Sequence, residues 1–244
     1  MVELLYTELL KLKRAGMIPV SLVGAAAAPV MMFLGALDMK ARRPGEPVTF
    51  SQMFEETNLY VLLLIGTLLY GVITAYLFHR EYAEDTLKNL LTVPVPRGNL
   101  MVSKLILLFF WIMVLTLTAW GLTLLAGLLA GAEGLHEEVL LRSLKQYAAG
   151  GSLLFLLSTP TMFVTLLFRN YVPTIIFTSV VTMGNVALAN REYKALFPWS
   201  AVHVIASGGE AGAYPISSSY LAIVLTSLAG FLAALVYFKR EDIG

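Results

Sequence analysis

The chain contains no cysteine, only three histidines, and few charges: 14% of its 244 residues are Asp, Glu, Lys or Arg. Without cysteine there is no disulfide framework, thiolate-bound metal or thiol nucleophile. The basic and acidic residues nearly cancel, leaving a formal charge of +1, so no global positive field draws nucleic acid to it. A soluble domain carries about 25% charged residues. The scarcity here, with 58% hydrophobic side chains and a mean hydropathy of +0.76, excludes both an ordinary soluble globule and a disordered chain. The apolar runs are long and do not alternate, which excludes a membrane β-barrel.

What is present is a set of membrane-length apolar segments. A spanning helix needs roughly 20 mostly apolar residues to cross about 30 Å of hydrocarbon. Six stretches qualify, residues 17–37, 59–78, 105–130, 148–168, 172–189 and 220–238. The expected fold is all-α, a polytopic membrane protein with six transmembrane helices forming one domain over residues 1–244. None of the six stretches contains an ionisable Asp, Glu, His, Lys or Arg, which argues against a carrier driven by a proton or ion relay. The fifth holds Thr174, Thr178, Ser179, Thr182 and Asn185. Such side chains usually find partners on neighbouring helices; packing is the expected role, and lining a substrate path is the sharper alternative.

An even number of spans puts both termini on one side. Residues 1–16, 79–104, 169–171 and 239–244 hold Lys11, Lys13, Arg14, Arg80, Lys88, Arg97, Lys104, Arg169, Lys239 and Arg240. The opposite loops hold Lys40, Arg42, Arg43, Arg142, Lys145, Arg191 and Lys194. That bias places both termini in the cytoplasm. The stretch from Lys11 to Ala28 resembles a signal peptide, but the apolar run continues to Leu37 and Glu3 and Glu8 interrupt the basic region, so a retained first span is expected. Before it, Val2, Leu5, Leu9 and Leu12 recur near helical spacing with Glu8, Lys11 and Arg14 turned elsewhere. Residues 1–16 therefore read as an amphipathic helix in the cytoplasmic interface. On the far side, residues 38–58 and 131–147 read as polar loops. Residues 190–219 contain the apolar run Leu196-Phe197-Pro198-Trp199-Ser200-Ala201-Val202, expected to dip into the outer leaflet because Trp favours the interface.

Between the second and third spans, a short helix is expected from about residue 83 to 92. Val93 precedes Pro94 and is pushed out of the α region, so the helix stops there. Leu87, Leu90 and Leu91 share one face, while Glu84, Asp85, Lys88 and Asn89 cover much of the rest. A three-leucine face in the cytosol needs a cover, either the protein's own helices or a groove on a partner; physics alone leaves the two even. The chain has no Gly-x-x-x-x-Gly-Lys-Ser/Thr string to cradle nucleotide phosphates.

Glu81, Glu84, Thr86-Leu87-Lys88-Asn89-Leu90-Leu91-Thr92, Pro94, Arg97 and Lys104 resemble the first cytoplasmic loop of ABC-2 type transporter permeases. The Lys-Asn-Leu-Leu-Thr-x-Pro form is similar to the branch containing bacitracin-transport and lantibiotic-immunity permeases. Phe197-Pro198-Trp199-Ser200 before the last span and Phe238-Lys239-Arg240-Glu241-Asp242 closing it agree, whereas Asp85 departs from the glycine common there. The resemblance implies a dimer with a second permease copy, identical or a sister chain. It implies a separate ABC ATPase that binds ATP and Mg, so that no cofactor belongs to this chain and the chain is not itself an enzyme. Glu81, Glu84, Thr86, Leu87, Lys88, Leu90, Leu91, Pro94 and Arg97 would couple to that ATPase, the leucines in its groove and Glu81 and Glu84 at the rim. The implied function is export of an amphipathic peptide antibiotic or hydrophobic compound across a bacterial plasma membrane. No substrate-binding residue carries over.

Two other readings were weighed. Glu137-Glu138-Val139-Leu140-Leu141-Arg142 matches the Glu-Glu-x-x-x-Arg motif of CAAX-type intramembrane proteases. That chemistry needs later histidines to position the general base. Only His203 follows Arg142, Phe197 stands six places before it rather than four, and the pair reads as part of a loop; chance explains the match better. His79 and His136 lack metal-ligand spacing. The other alternative is an ATPase-linked sensory module without transport.

Overall fold

The computed structural model describes residues 2–13, 16–43, 45–83, 97–208 and 214–240. Ten α-helices follow in order among them: α1 Val2–Lys13, α2 Met17–Arg42, α3 Phe50–Tyr60, α4 Gly66–Ala83, α5 Arg97–Ala130, α6 Glu137–Leu156, α7 Ser158–Phe168, α8 Tyr171–Leu188, α9 Pro198–Ala206 and α10 Ile216–Arg240. Six stretches are long and apolar enough to cross a membrane: Met17–Arg42, Phe50–Arg80, Gly98–Ala130, Glu137–Phe168, Tyr171–Leu188 and Ile216–Arg240. The all-α, six-span architecture is as the sequence predicts.

The helices overrun the apolar segments that announce them. Hydropathy marks where hydrocarbon is crossed, whereas a helix runs on until something caps it. The polar stretch 38–58, expected as a loop, is helical except near residues 43–49; the Thr49 hydroxyl caps α3 by accepting from the Gln52 N–H at 3.3 Å. The stretch 131–147 likewise becomes helix from Glu137, so Glu137 and Glu138 occupy the first turn of α6 and not a loop. Carboxylates there complement the helix dipole. The expectation of spans without charge is also corrected: Lys104 lies in the third spanning helix, well inside its start, and is buried.

Two spans are interrupted, and side chains repair both breaks. Between α3 and α4, Val61–Ile65 form a π-helical turn. Its loosened carbonyls are taken by the Thr67 hydroxyl, which donates to Leu62 O at 2.9 Å, and by the Asn185 amide, which donates to Leu63 O at 3.0 Å. Between α6 and α7 the helix is broken at Leu157. Pro160 has no N–H for the Leu156 carbonyl four residues back. The Thr159 hydroxyl lies 3.0 Å from that carbonyl and 2.7 Å from Ser227 O of α10, shared between the two.

The second span is the bundle's centre, with 67% of its apolar window buried, against 28% for the first, fifth and last. It packs through α4 on α7 and α8, while α2 lies along α5 and α10 along α7. The polar residues of the fifth span turn inward: Thr174, Thr178, Thr182 and Asn185 are buried and Ser179 half-buried. Residues 192–195 make a 3₁₀ turn, after which α9 folds back against α6 and α10. Trp199, in the run expected to dip into the outer leaflet, is buried within the protein, its ring 6.0 Å from that of Phe177 and 5.8 Å from that of Phe197.

Gly230 of α10 faces the Pro160 backbone so closely that a Cβ has no room, and backbone cannot swing aside. Gly230→Val should therefore lower stability by about 1–3 kcal/mol through overpacking. Gly121→Ala, with nothing within 4 Å of the new atom, should be neutral or slightly stabilising. Thermal unfolding of the two variants in one detergent checks the contrast.

Candidate functional site

The region that would meet a motor protein is the end of the bundle where α4 leaves the membrane and α5 enters it. Among the nominated coupling residues, Glu81 lies in the last turn of α4 and Arg97 opens α5. Glu84, Thr86, Leu87, Lys88, Leu90, Leu91 and Pro94, and the helix expected there, lie outside the described residues. What the structure does define is how the two struts bracketing them are held.

Lys104 is the tie. Its ammonium group donates to Leu77 O of α4 at 3.0 Å and to Glu8 Oε2 of α1 at 3.3 Å. Glu8 is bridged through its other oxygen to Lys11 at 3.0 Å. Both Lys104 and Glu8 side chains are 7% exposed, so the three helices are locked by a buried ion pair rather than a solvated one. Burial pushes the Glu8 carboxyl up, but the Lys104 and Lys11 ammonium groups outweigh it and hold it below its ordinary range.

This arrangement revises the reading of the first helix. Leu12 and Glu8 face the protein and Leu5 is half-buried, whereas Tyr6, Leu9 and Leu10 are exposed. The inward stripe thus includes Leu5, Glu8 and Leu12, with an acid at its centre, and Leu9 is turned away from it. Neighbouring ties continue along the same side. Trp111 of α5 donates to the Ser21 hydroxyl of α2 at 3.1 Å, and the Tyr76 ring of α4 meets Trp111 edge-on at 6.5 Å. The Arg80 guanidinium sits 6.0 Å from the Tyr76 ring, and His79 stacks edge-on with Tyr171 at 5.5 Å.

A second polar node lies in the other half of the bundle. Asn185 of α8 donates to Leu63 O in the π turn and accepts from the Ser200 hydroxyl of α9 at 3.0 Å. One buried amide therefore joins the second span, the fifth span and the folded-back helix. The sequence marked Asn185 only as a polar residue in an uncertain span.

The protease motif takes another form. Glu137 and Glu138 are exposed, and Arg142 pairs with Glu55 at 3.7 Å. His203 lies on α9, where burial, then the nearby Lys194 charge, keeps its pKa below the ordinary value. Among the described residues no histidine is hydrogen-bonded to either glutamate, and Arg142 braces α6 against α3 through Glu55. Nor does any group of three or more His, Asp or Glu among the described residues suit a metal ion.

The ion pair yields a quantitative expectation. Glu8→Gln removes a buried carboxylate from beside the Lys104 ammonium, which keeps its bond to the Leu77 carbonyl, and should cost up to about 3 kcal/mol, while the double variant Glu8→Leu/Lys104→Met should recover much of that loss. Thermal unfolding measures both. Because the folded Glu8 pKa lies below its ordinary 4.5, its contribution is fully present above that value and is lost as pH falls through the lower folded pKa. Cleavage within α1 by an acid-active protease such as pepsin, measured at each pH directly, should rise only at the most acidic steps.

Comparison with known proteins accords with this layout. The family profile described as "ABC-2 family transporter protein" matches residues 4–185, from α1 to the buried Asn185. The chain is 57% identical over 204 residues to the bacitracin transport permease protein of Bacillus licheniformis, an alignment taking in 84% of this chain and 98% of that one. A six-span helical bundle, a family match over most of its length and a relative this similar give one conclusion: the chain is a multi-pass membrane permease and belongs to the ABC-2 transporter family.

Proposed function

We propose that this permease is the membrane half of an ABC exporter that removes an amphipathic peptide antibiotic from a bacterial plasma membrane. The observation that carries the substrate class is the 57% identity to a permease named for bacitracin transport. Two permease copies, or one copy and a sister permease, would work with two copies of a separate ATPase. Both termini would lie in the cytoplasm, as the distribution of Lys and Arg favours. ATP and Mg²⁺ would be bound by the ATPase, since this chain has no phosphate-cradling loop.

The division of labour follows from the struts. The ATPase would grip residues 84–96 through the face formed by Leu87, Leu90 and Leu91, with Glu81, Glu84, Thr86, Lys88, Pro94 and Arg97 around it. A displacement there reaches α4 and α5 directly. Because Lys104 bonds to Leu77 O and to Glu8, the two struts and α1 would move as one body rather than splaying. Packed helices respond to such a push by shifting between discrete arrangements.

Leu90→Asp tests the assignment. The variant should insert in the membrane at normal levels yet fail to co-purify with its partner ATPase, and bacitracin resistance should fall to that of cells lacking the permease. Normal co-purification and normal resistance would overturn the coupling face. Reconstituted vesicles separate export from ATPase-linked sensing: substrate flux that requires ATP supports export, and ATPase stimulation without flux supports sensing.

A further inference from the structure

We propose that the groove between α2 and α3, at the end of the bundle away from α1, is a docking site for a cationic amphiphile, with Glu56 as its counter-charge. The proposal rests on the exporter reading and supplies the substrate contact that reading lacks. The groove has a volume of about 310 Å³ and is lined by Met31, Met32, Met39 and Met53 together with Gln52 and Glu56. That volume is at the lower bound for small-molecule sites.

Charge is the first argument. Three acidic side chains near this end of the bundle pair with cations, Asp38 with Arg42 at 2.8 Å, Glu46 with Arg43 at 3.3 Å and Glu55 with Arg142 at 3.7 Å, while Glu133, Glu137 and Glu138 are exposed to solvent. Glu56, half-buried and on a spanning helix, is different. Its carboxylate accepts the Gln52 amide at 2.8 Å, and no cationic side chain among the described residues pairs with it. Glu56 stands in the polar extension of the second span, just before its apolar stretch, where a half-buried carboxylate is partly desolvated and favours a cationic partner. A ligand cation in the groove would neutralise it where water is scarce and the attraction correspondingly strong.

The lining is the second argument. Methionine is unbranched and polarizable and adapts to ligands of differing shape. Four of the chain's ten methionines line this groove, with Met53 buried as its floor and Met31 exposed at its edge. Such a wall would take the apolar body of a molecule arriving from the lipid, while Glu56 holds its charged end. Gly35 also lines the groove, and a Cβ placed on it meets nothing within 4 Å, so a side chain there would occupy ligand space without displacing protein.

The test uses the full chain in phosphatidylcholine nanodiscs without ATPase, probed with tetraphenylphosphonium and tetraphenylborate, which match in size and differ in charge. After subtraction of partition into empty discs, the native chain should bind the phosphonium about tenfold more tightly than the borate. Glu56→Gln retains the bond to Gln52 and should abolish that preference; Gly35→Leu should weaken both probes. Unchanged melting temperatures show that the variants fold. Phosphonium affinity unaltered by Glu56→Gln overturns the proposal. So does a Gly35→Leu variant that changes from dimer to monomer while binding phosphonium normally, since the groove would then be an interface between copies. No ATPase is present, so a failure to bind leaves export intact. Loss of ATP-driven flux with binding preserved counts against the exporter reading alone.

Discussion

Hydrocarbon offers no hydrogen bonds, and that constraint governs how this chain is built. Each backbone N–H and C=O within a span must be satisfied from inside the protein. A run of unbroken α-helices would meet the requirement trivially, but two spans here are broken. The breaks persist because Thr67, Thr159 and Asn185 reach the carbonyls that irregular backbone exposes. These side chains bind neighbouring elements in the same act, as when Thr159 touches Ser227 O and Asn185 touches Ser200. Repair of a local defect thereby becomes tertiary structure.

A related economy operates where the chain leaves the membrane. A buried Lys104 alone would be prohibitive, and a buried Glu8 alone nearly so. Together with Lys11 and the Leu77 carbonyl they join α1, α4 and α5 at one corner, and the buried Tyr70 and Thr116 hydroxyls, 2.8 Å apart, tie α4 to α5 again further along. The resulting corner braces α4 and α5 at the ends that lead into residues 84–96. The Asn185 node uses neutral polar groups instead, and the ion pairs at the bundle's far end, such as Arg42 with Asp38, are solvent-exposed.

The spans themselves were legible from sequence because twenty apolar residues carry a strong, local signal. Their polar extensions were not, since Thr49 caps α3 and the Glu137 turn starts α6 from within segments whose composition reads as loop. The packing of Trp199 is not legible either: an amphipathic ring suits both an interface and a core, and its contacts with Phe177 and Phe197 come from residues that folding brings together. Lys104 was noticed as part of a motif, yet its partner Glu8 stands 96 residues away. Pairing over that separation has no local signature. The acid's place at the centre of the Leu5 and Leu12 stripe was the available clue, and it was masked by the apolar appearance of Leu9.

The π turn at Val61–Ile65 bears on how one span serves two neighbourhoods. A helix advances about 100° around its axis with each residue, and a π turn accommodates one residue more than an α turn does. The azimuth of α4 is therefore offset from that of α3 by about one residue's rotation, although the two run on as a single rod. This phase step lets α3 address α5 and α6 while α4 addresses α7 and α8. Sequence length in the second span is accordingly not interchangeable with thickness: one residue fewer would barely shorten the rod, but would turn its two halves into the same phase and aim one of them at the wrong neighbours.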